Sequence, residues 1–192
     1  FGMDRGFETY DDHLPRGNDR RRTPYVERFG DATTDAALRW LKAPAGTRAP
    51  QPFFLWVHYY DPHAPYEPPG DLADRFRGSP YDGENAFVDR QVARLFAALE
   101  DRRSLSRTLV LMTADHGESL GEHGEGTHGL FLYDTTLRIP WMMAGPGIPT
   151  KRVSRTVARG IDTLPTLLEY AGLPLRKDIE GRSLRPAAEG KE

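Results

Sequence analysis

Residues 108–129 read Thr-Leu-Val-Leu-Met-Thr-Ala-Asp-His-Gly-Glu-Ser-Leu-Gly-Glu-His-Gly-Glu-Gly-Thr-His-Gly. An apolar run, Thr108–Ala114, stops abruptly at Asp115-His116, and a loop of Gly, His and Glu follows. Apolar residues that end at a carboxylate and an imidazole describe a buried strand delivering ligands to a site at its end.

Outward from that stretch, Phe53–Tyr60 is a second apolar run, continuous rather than alternating, which fits a central strand covered on both faces. Asp61-Pro62-His63-Ala64-Pro65-Tyr66-Glu67-Pro68-Pro69 follows it. Its prolines forbid a regular ladder and stiffen the loop, so that His63 can be held in one place. Between the two runs, Phe87, Val88, Val92, Leu95, Phe96 and Leu99 recur at three and four residues and predict a helix over 83–100. Asp31 is placed to cap a helix running to about Lys42. Ile139–Ala144 reads as a third strand. Asp162 reads as the cap of a last helix, which has Pro165 in its first turn and stops at Gly172-Leu173-Pro174. The Arg20-Arg21-Arg22 run reads as a solvated loop and the tail from Arg176 as polar.

Alternation of strand, helix and strand with long crossovers predicts an α/β fold, a three-layer α/β/α sandwich with a mainly parallel central sheet. Residues 1–192 read as a single partial domain. In such sheets ligands sit beyond the carboxyl ends of the strands. Both Asp61-Pro62-His63 and Asp115-His116 fall at such ends, so two strands are expected to bring imidazoles to one sheet edge.

The bulk composition narrows the function. Lys plus Arg is 26 and Asp plus Glu is 28, a formal net charge of −2, which argues against a nucleic-acid binder driven by bulk charge. No apolar run approaches the ~18 residues of a membrane span. The chain has no cysteine, which excludes disulfides and thiolate metal sites and leaves the compartment open. The chain starts with Phe1-Gly2 and no signal-like segment, and two origins fit: a trimmed chain, or one that starts inside a larger domain.

Asp115 and His116 pair a hard carboxylate oxygen with an imidazole nitrogen, a donor set that suits a divalent cation. The residues alone leave open the alternative of an Asp that caps the next turn beside a His that packs. His116, His123 and His128 share one Gly-rich loop with Glu118, Glu122 and Glu125; this is a candidate site or a solvated acidic loop, and it is not the His-Glu-x-x-His pattern of a helical zinc site. His63, between prolines, suits a general acid or an anion contact, with an ordinary surface His as the alternative.

Three segments, in order, resemble the sulfatase family of the alkaline phosphatase superfamily: Phe53–Tyr66, "FFLWVHYYDPHAPY"; Thr113–Pro140, "TADHGESLGEHGEGTHGLFLYDTTLRIP"; and Ile161–Leu184, "IDTLPTLLEYAGLPLRKDIEGRSL". The opening "FGMDRGFETYDD" resembles the stretch that follows the nucleophile-bearing part of such enzymes. The resemblance implies an alkaline-phosphatase-like sandwich and hydrolysis of sulfate esters at a divalent metal, calcium first, with magnesium or manganese as alternatives. It implies that Asp115 and His116 bind the metal, that His63 contacts the sulfate and assists the leaving group, and that His128 stands where many relatives place a sulfate-contacting Lys. The nucleophile it implies is a formylglycine made from Cys or Ser in Cys/Ser-x-Pro-x-Arg.

That motif is absent from residues 1–192, as is the N-terminal strand with the paired Asp residues. Both are therefore expected upstream, and the chain is expected to lack the N-terminal strands of the fold. With only two ligands, residues 1–192 alone are expected to bind metal weakly and not to turn over, since hard divalent cations take about six or more ligands. The partner expected is a sulfate-ester substrate, with no nucleic acid. A periplasmic or extracellular location is favoured by the resemblance only. Two other readings remain: a phosphoester or phosphonoester hydrolase or phosphoethanolamine-type transferase of the same superfamily, and a non-catalytic domain that binds an anion or a partner.

Overall fold

A computed structural model describes residues 2–14, 27–43 and 52–191, in two units, Phe1–Arg102 and Arg103–Glu192. The Arg20-Arg21-Arg22 run, read as a solvated loop, lies outside the described residues.

The first unit is built on two helices that pack together, α1 (Gly30–Lys42) and α3 (Pro80–Asp101), with a short α2 (Asp71–Arg75) against α3. The three- and four-residue spacing produces α3 as expected, with Pro80 in its first turn, where no amide hydrogen is needed. Phe87, Gln91, Ala98 and Leu99 form its buried stripe, and Thr34, Ala37 and Leu41 of α1 face inward. The Arg102 guanidinium closes the far end by donating to the Leu41 carbonyl.

Two expectations are corrected in this unit. Asp31 does not cap α1; it lies in the first turn, and the Gly30 amide instead donates to Asp61 Oδ2 at 2.8 Å. A carboxylate at a helix N-terminus is favoured by the helix dipole wherever in the chain it comes from. Residues 53–60 carry no strand pairing among the described residues. Their exposure alternates: Leu55, Val57 and Tyr59 are half-buried, while Phe54, Trp56, His58 and Tyr60 are exposed. Tyr59 Oη meets Thr34 Oγ1 of α1 at 2.8 Å, and Phe54 and Trp56 meet the Phe7 ring. An extended run becomes a strand only when neighbours take its N–H and C=O groups, and hydrophobicity alone does not supply them.

The second unit holds the one ladder among the described residues. β1 (Val110–Thr113) pairs with β2 (Trp141–Ala144) in antiparallel register, Val110 opposite Ala144 and Thr113 opposite Trp141. The mainly parallel sheet of the three-layer sandwich is thus not seen among the described residues. A parallel return needs a crossover of a dozen or more residues, usually helical. The connection here, residues 114–140, is long enough for one but holds only a 3₁₀ turn and the four-residue α4 (Asp134–Leu137) rather than a crossover helix, and the chain comes back antiparallel.

Beyond β2, the turn Gly160–Asp162 leads into α5 (Thr163–Tyr170), and α6 (Arg185–Glu189) follows. The tail is not wholly polar as expected, because Leu184 is buried. Asp162 ties the tail down. Its carboxylate, 0% exposed, accepts from the Arg159 backbone and guanidinium and, at 2.9 Å, from the Arg182 amide. Thr166 Oγ1 accepts the Leu184 amide at 2.9 Å.

Foremost the Arg159 guanidinium, with the two amides, holds the Asp162 carboxyl at about 2, down from its ordinary 3.8. A depressed carboxyl pKa stabilises the fold above the unfolded value, and this is lost as pH falls through the folded one. Asp162→Asn is expected to lower stability at neutral pH by about 2 kcal/mol. It is also expected to flatten the fall in stability between about pH 4 and about pH 2; urea melts across that range measure both.

Candidate active site

β1 stops at Thr113, and the chain turns sharply at Asp115-His116-Gly117. Asp115 Oδ1 accepts the His116 amide at 3.0 Å and stands 3.7 Å from His116 Nε2. His116 Nδ1 lies 2.8 Å from the Gly117 carbonyl. A carbonyl only accepts, so the ring proton sits on Nδ1, and in the neutral ring the lone pair sits on Nε2, facing the carboxylate. Gly117 makes this turn possible. Its amide donates to Thr136 O at 2.8 Å, and a Cβ there would collide with Thr135 O and approach Arg138 O to 2.7 Å.

The loop brings a second imidazole onto the first. The His128 ring lies 3.9 Å from that of His116, centroid to centroid. His128 Nδ1 is 3.2 Å from each Glu118 oxygen, and the Glu118 side chain is only 7% exposed. Because the carboxylate accepts, Glu118 selects the Nδ1–H form of His128 and fixes the ring orientation. Glu125 is buried as well, and its Oε1 accepts the amides of Leu130 at 2.8 Å and Phe131 at 3.3 Å. Ser119 Oγ donates to the carbonyls of Glu122 and Glu125. The loop is thus internally hydrogen-bonded. His123 takes a different place, stacked on Tyr133 at 3.9 Å. The structure brings together Asp115, His116 and His128 and adds Glu118, which sequence alone does not separate from Glu122 and Glu125.

His63 lies in the first unit, in a loop with cis peptide bonds at Asp61-Pro62 and Ala64-Pro65. Its Nδ1 is 2.7 Å from the Ala64 carbonyl, which fixes the hydrogen there. The Nε2 atom is 3.2 Å from Tyr60 Oη, and the two rings stack at 4.4 Å. The loop's backbone is gripped from α3: the buried Glu84 accepts the amides of His63 at 3.0 Å and Glu67 at 2.7 Å. Asp61, which holds the start of α1, has its carboxyl pushed up by burial against the lowering effect of the Gly30 amide.

As a donor set for a divalent cation, Asp115 and His116 fit. The two atoms stand close enough to share one ion, and with Nδ1 directed to the Gly117 carbonyl, Nε2 is the nitrogen that would ligate it. They supply two ligands; among the described residues no group of three or more His, Cys, Asp or Glu is arranged to hold a metal.

Comparison with known proteins places the chain in a family. The Sulfatase family profile matches residues 2–173, and the chain belongs to that family. It is 28% identical to arylsulfatase K of Rattus norvegicus over 170 residues, which are 83% of this chain and 30% of that protein. It is 32% identical to a phosphonate monoester hydrolase from Silicibacter pomeroyi, over 59% of this chain and 22% of that one, with a TM-score of 0.56. A Bacteroides fragilis protein assigned as a sulfatase superposes on 88% of the chain and 43% of its own, with a TM-score of 0.72 at 22% identity, a likeness of fold. The chain spans about 30% of the length of the curated relatives it matches.

Because Gly117 has no room for a side chain, Gly117→Ala is expected to lower stability by about 1–3 kcal/mol, the usual range for overpacking. It is also expected to displace His116 from Asp115. Urea melts and the imidazole NMR resonances of His116 and His128 report the two effects.

Proposed function

We propose that this chain is part of the catalytic domain of a sulfuric ester hydrolase. The reading rests on the Asp115–His116 pair, whose carboxylate oxygen and imidazole Nε2 stand 3.7 Å apart in a chain that belongs to the Sulfatase family. Asp115 and His116 hold a divalent cation, calcium first, with magnesium or manganese as alternatives. The cation, when bound, supplies positive charge to the sulfate oxygens. His128, oriented by Glu118 through Nδ1, contacts the sulfate in its imidazolium form, in which Nε2 also carries a hydrogen and donates. His63 gives its Nε2 proton to the ester oxygen as the bond to sulfur breaks, so that the leaving group departs as an alcohol.

The nucleophile is proposed to be a formylglycine from outside residues 1–192, because the chain carries no cysteine and no Ser-x-Pro-x-Arg. One family match runs from residue 2 to 173, which supports treating both units as parts of one domain. That domain is proposed to be the three-layer α/β/α sandwich with a mainly parallel sheet. One observation favours a second reading, a phosphonoester or phosphoester hydrolase: the 32% identity to the Silicibacter pomeroyi phosphonate monoester hydrolase.

The test is turnover of 4-nitrophenyl sulfate, phenyl sulfate and phenyl phenylphosphonate by the full-length protein. Sulfate esters are expected to be the better substrates; preference for the phosphonate selects the second reading. Asp115→Ala is expected to lower sulfatase turnover by roughly a hundredfold or more and to weaken calcium binding in calorimetry. His63→Ala is expected to slow phenyl sulfate by roughly a hundredfold, and 4-nitrophenyl sulfate less, because the better leaving group needs less protonation.

A further inference from the structure

The segment His63–Glu67 belongs to no helix or ladder, yet it carries the side chain assigned above as proton donor. Such a segment needs partners for its amides. Those at its two ends, His63 and Glu67, are met by one residue. Glu84 is on α3, 4% exposed, and its Oε2 and Oε1 accept the amides of His63 and Glu67 at 3.0 and 2.7 Å. Its neighbour Gly83 lets the loop lie against the helix: a Cβ there would meet Pro68 at 2.7 Å and Phe76 at 2.9 Å. Taking a carboxylate out of water is costly unless donors meet it, and a helix surface offers a glutamate no reason to be buried. Here both oxygens are used on the backbone of one loop, one of them at the residue whose ring is to face the substrate.

We propose that Glu84 is a positioning residue for His63: its two oxygens fix the backbone on both sides of the Ala64–Pro65 turn and so set where the His63 ring stands. This rests on the assignment of His63 as proton donor. Glu84 touches no reacting atom and acts through the loop. Glu84→Gln discriminates well, because it keeps the shape but turns an amide N–H toward a backbone N–H.

The experiment is a double-mutant cycle in the full-length protein, read as kcat and KM on phenyl sulfate and 4-nitrophenyl sulfate, with thermal unfolding of each variant. Glu84→Gln is expected to lower kcat on phenyl sulfate by roughly tenfold or more with a smaller change in KM. It is expected to spare 4-nitrophenyl sulfate in part, as His63→Ala does, and to cause no further loss in the His63→Ala background. If Glu84→Gln leaves kcat unchanged, or lowers it equally in both backgrounds, the positioning role is overturned while the role of His63 stands. If His63→Ala itself leaves phenyl sulfate turnover unchanged, the assignment beneath falls and this proposal with it. Should Glu84→Gln fail to fold, Glu84→Asp, which retains both acceptor oxygens, enters the same cycle. A smaller loss of kcat that vanishes in the His63→Ala background supports the role; a loss that persists there overturns it.

Discussion

Glu84, Glu125 and Asp162 each carry a carboxylate out of water, and each accepts hydrogen bonds from backbone amides of an irregular segment. This interaction is the one on which the rest of the described structure depends. The segments that carry candidate functional side chains lie outside the strand ladder, so their amides must be satisfied in some other way. Glu84 and Asp162 do this with both oxygens and Glu125 with Oε1, and charge makes each bond stronger than a neutral one. It also makes the arrangement unforgiving, because removing one partner leaves the other stranded in a poor solvent.

The imidazoles obey the same logic on a smaller scale. His63 and His116 each direct Nδ1 to the carbonyl of the following residue, and His128 directs it to Glu118. In all three the hydrogen is assigned to Nδ1 by an acceptor that cannot donate. Nε2 is thereby the ring atom left for the roles proposed for these residues, proton donor for His63 and metal ligand for His116. A nearby acceptor, backbone carbonyl or carboxylate, thus orients each ring.

Legibility differed by element, and the differences have physical causes. Helix α3 was readable because burial of one stripe imposes its period on the sequence directly. The ends of β1 and β2 were readable within two or three residues, and Asp115-His116 stood out because an apolar run ended on them. The direction of strand pairing was not readable, since apolar content is the same in a parallel and an antiparallel neighbour. The extended run 53–60 showed the same limit: its hydrophobicity is plain, but coverage depends on what lies beside it. Glu84 stands three residues before Phe87 on the buried stripe, yet a glutamate in a helix reads as solvent-facing by default. Glu118 was one of three glutamates in a loop with no period at all.

Sequence alone determined the three helices α1, α3 and α5, the apolar run that ends at Asp115 and His116, the proline-bound position of His63, and the family resemblance. These are properties of short windows, where periodicity and residue chemistry act within a few turns of chain. Tertiary structure alone decided that Asp61 rather than Asp31 holds the start of α1. It also decided that β1 and β2 run antiparallel, that Glu118 serves His128, and that Glu84 serves the His63 loop. Each of these joins residues far apart in the chain or chooses among chemically identical side chains. Only the three-dimensional path of the backbone determines which carboxylate meets which donor.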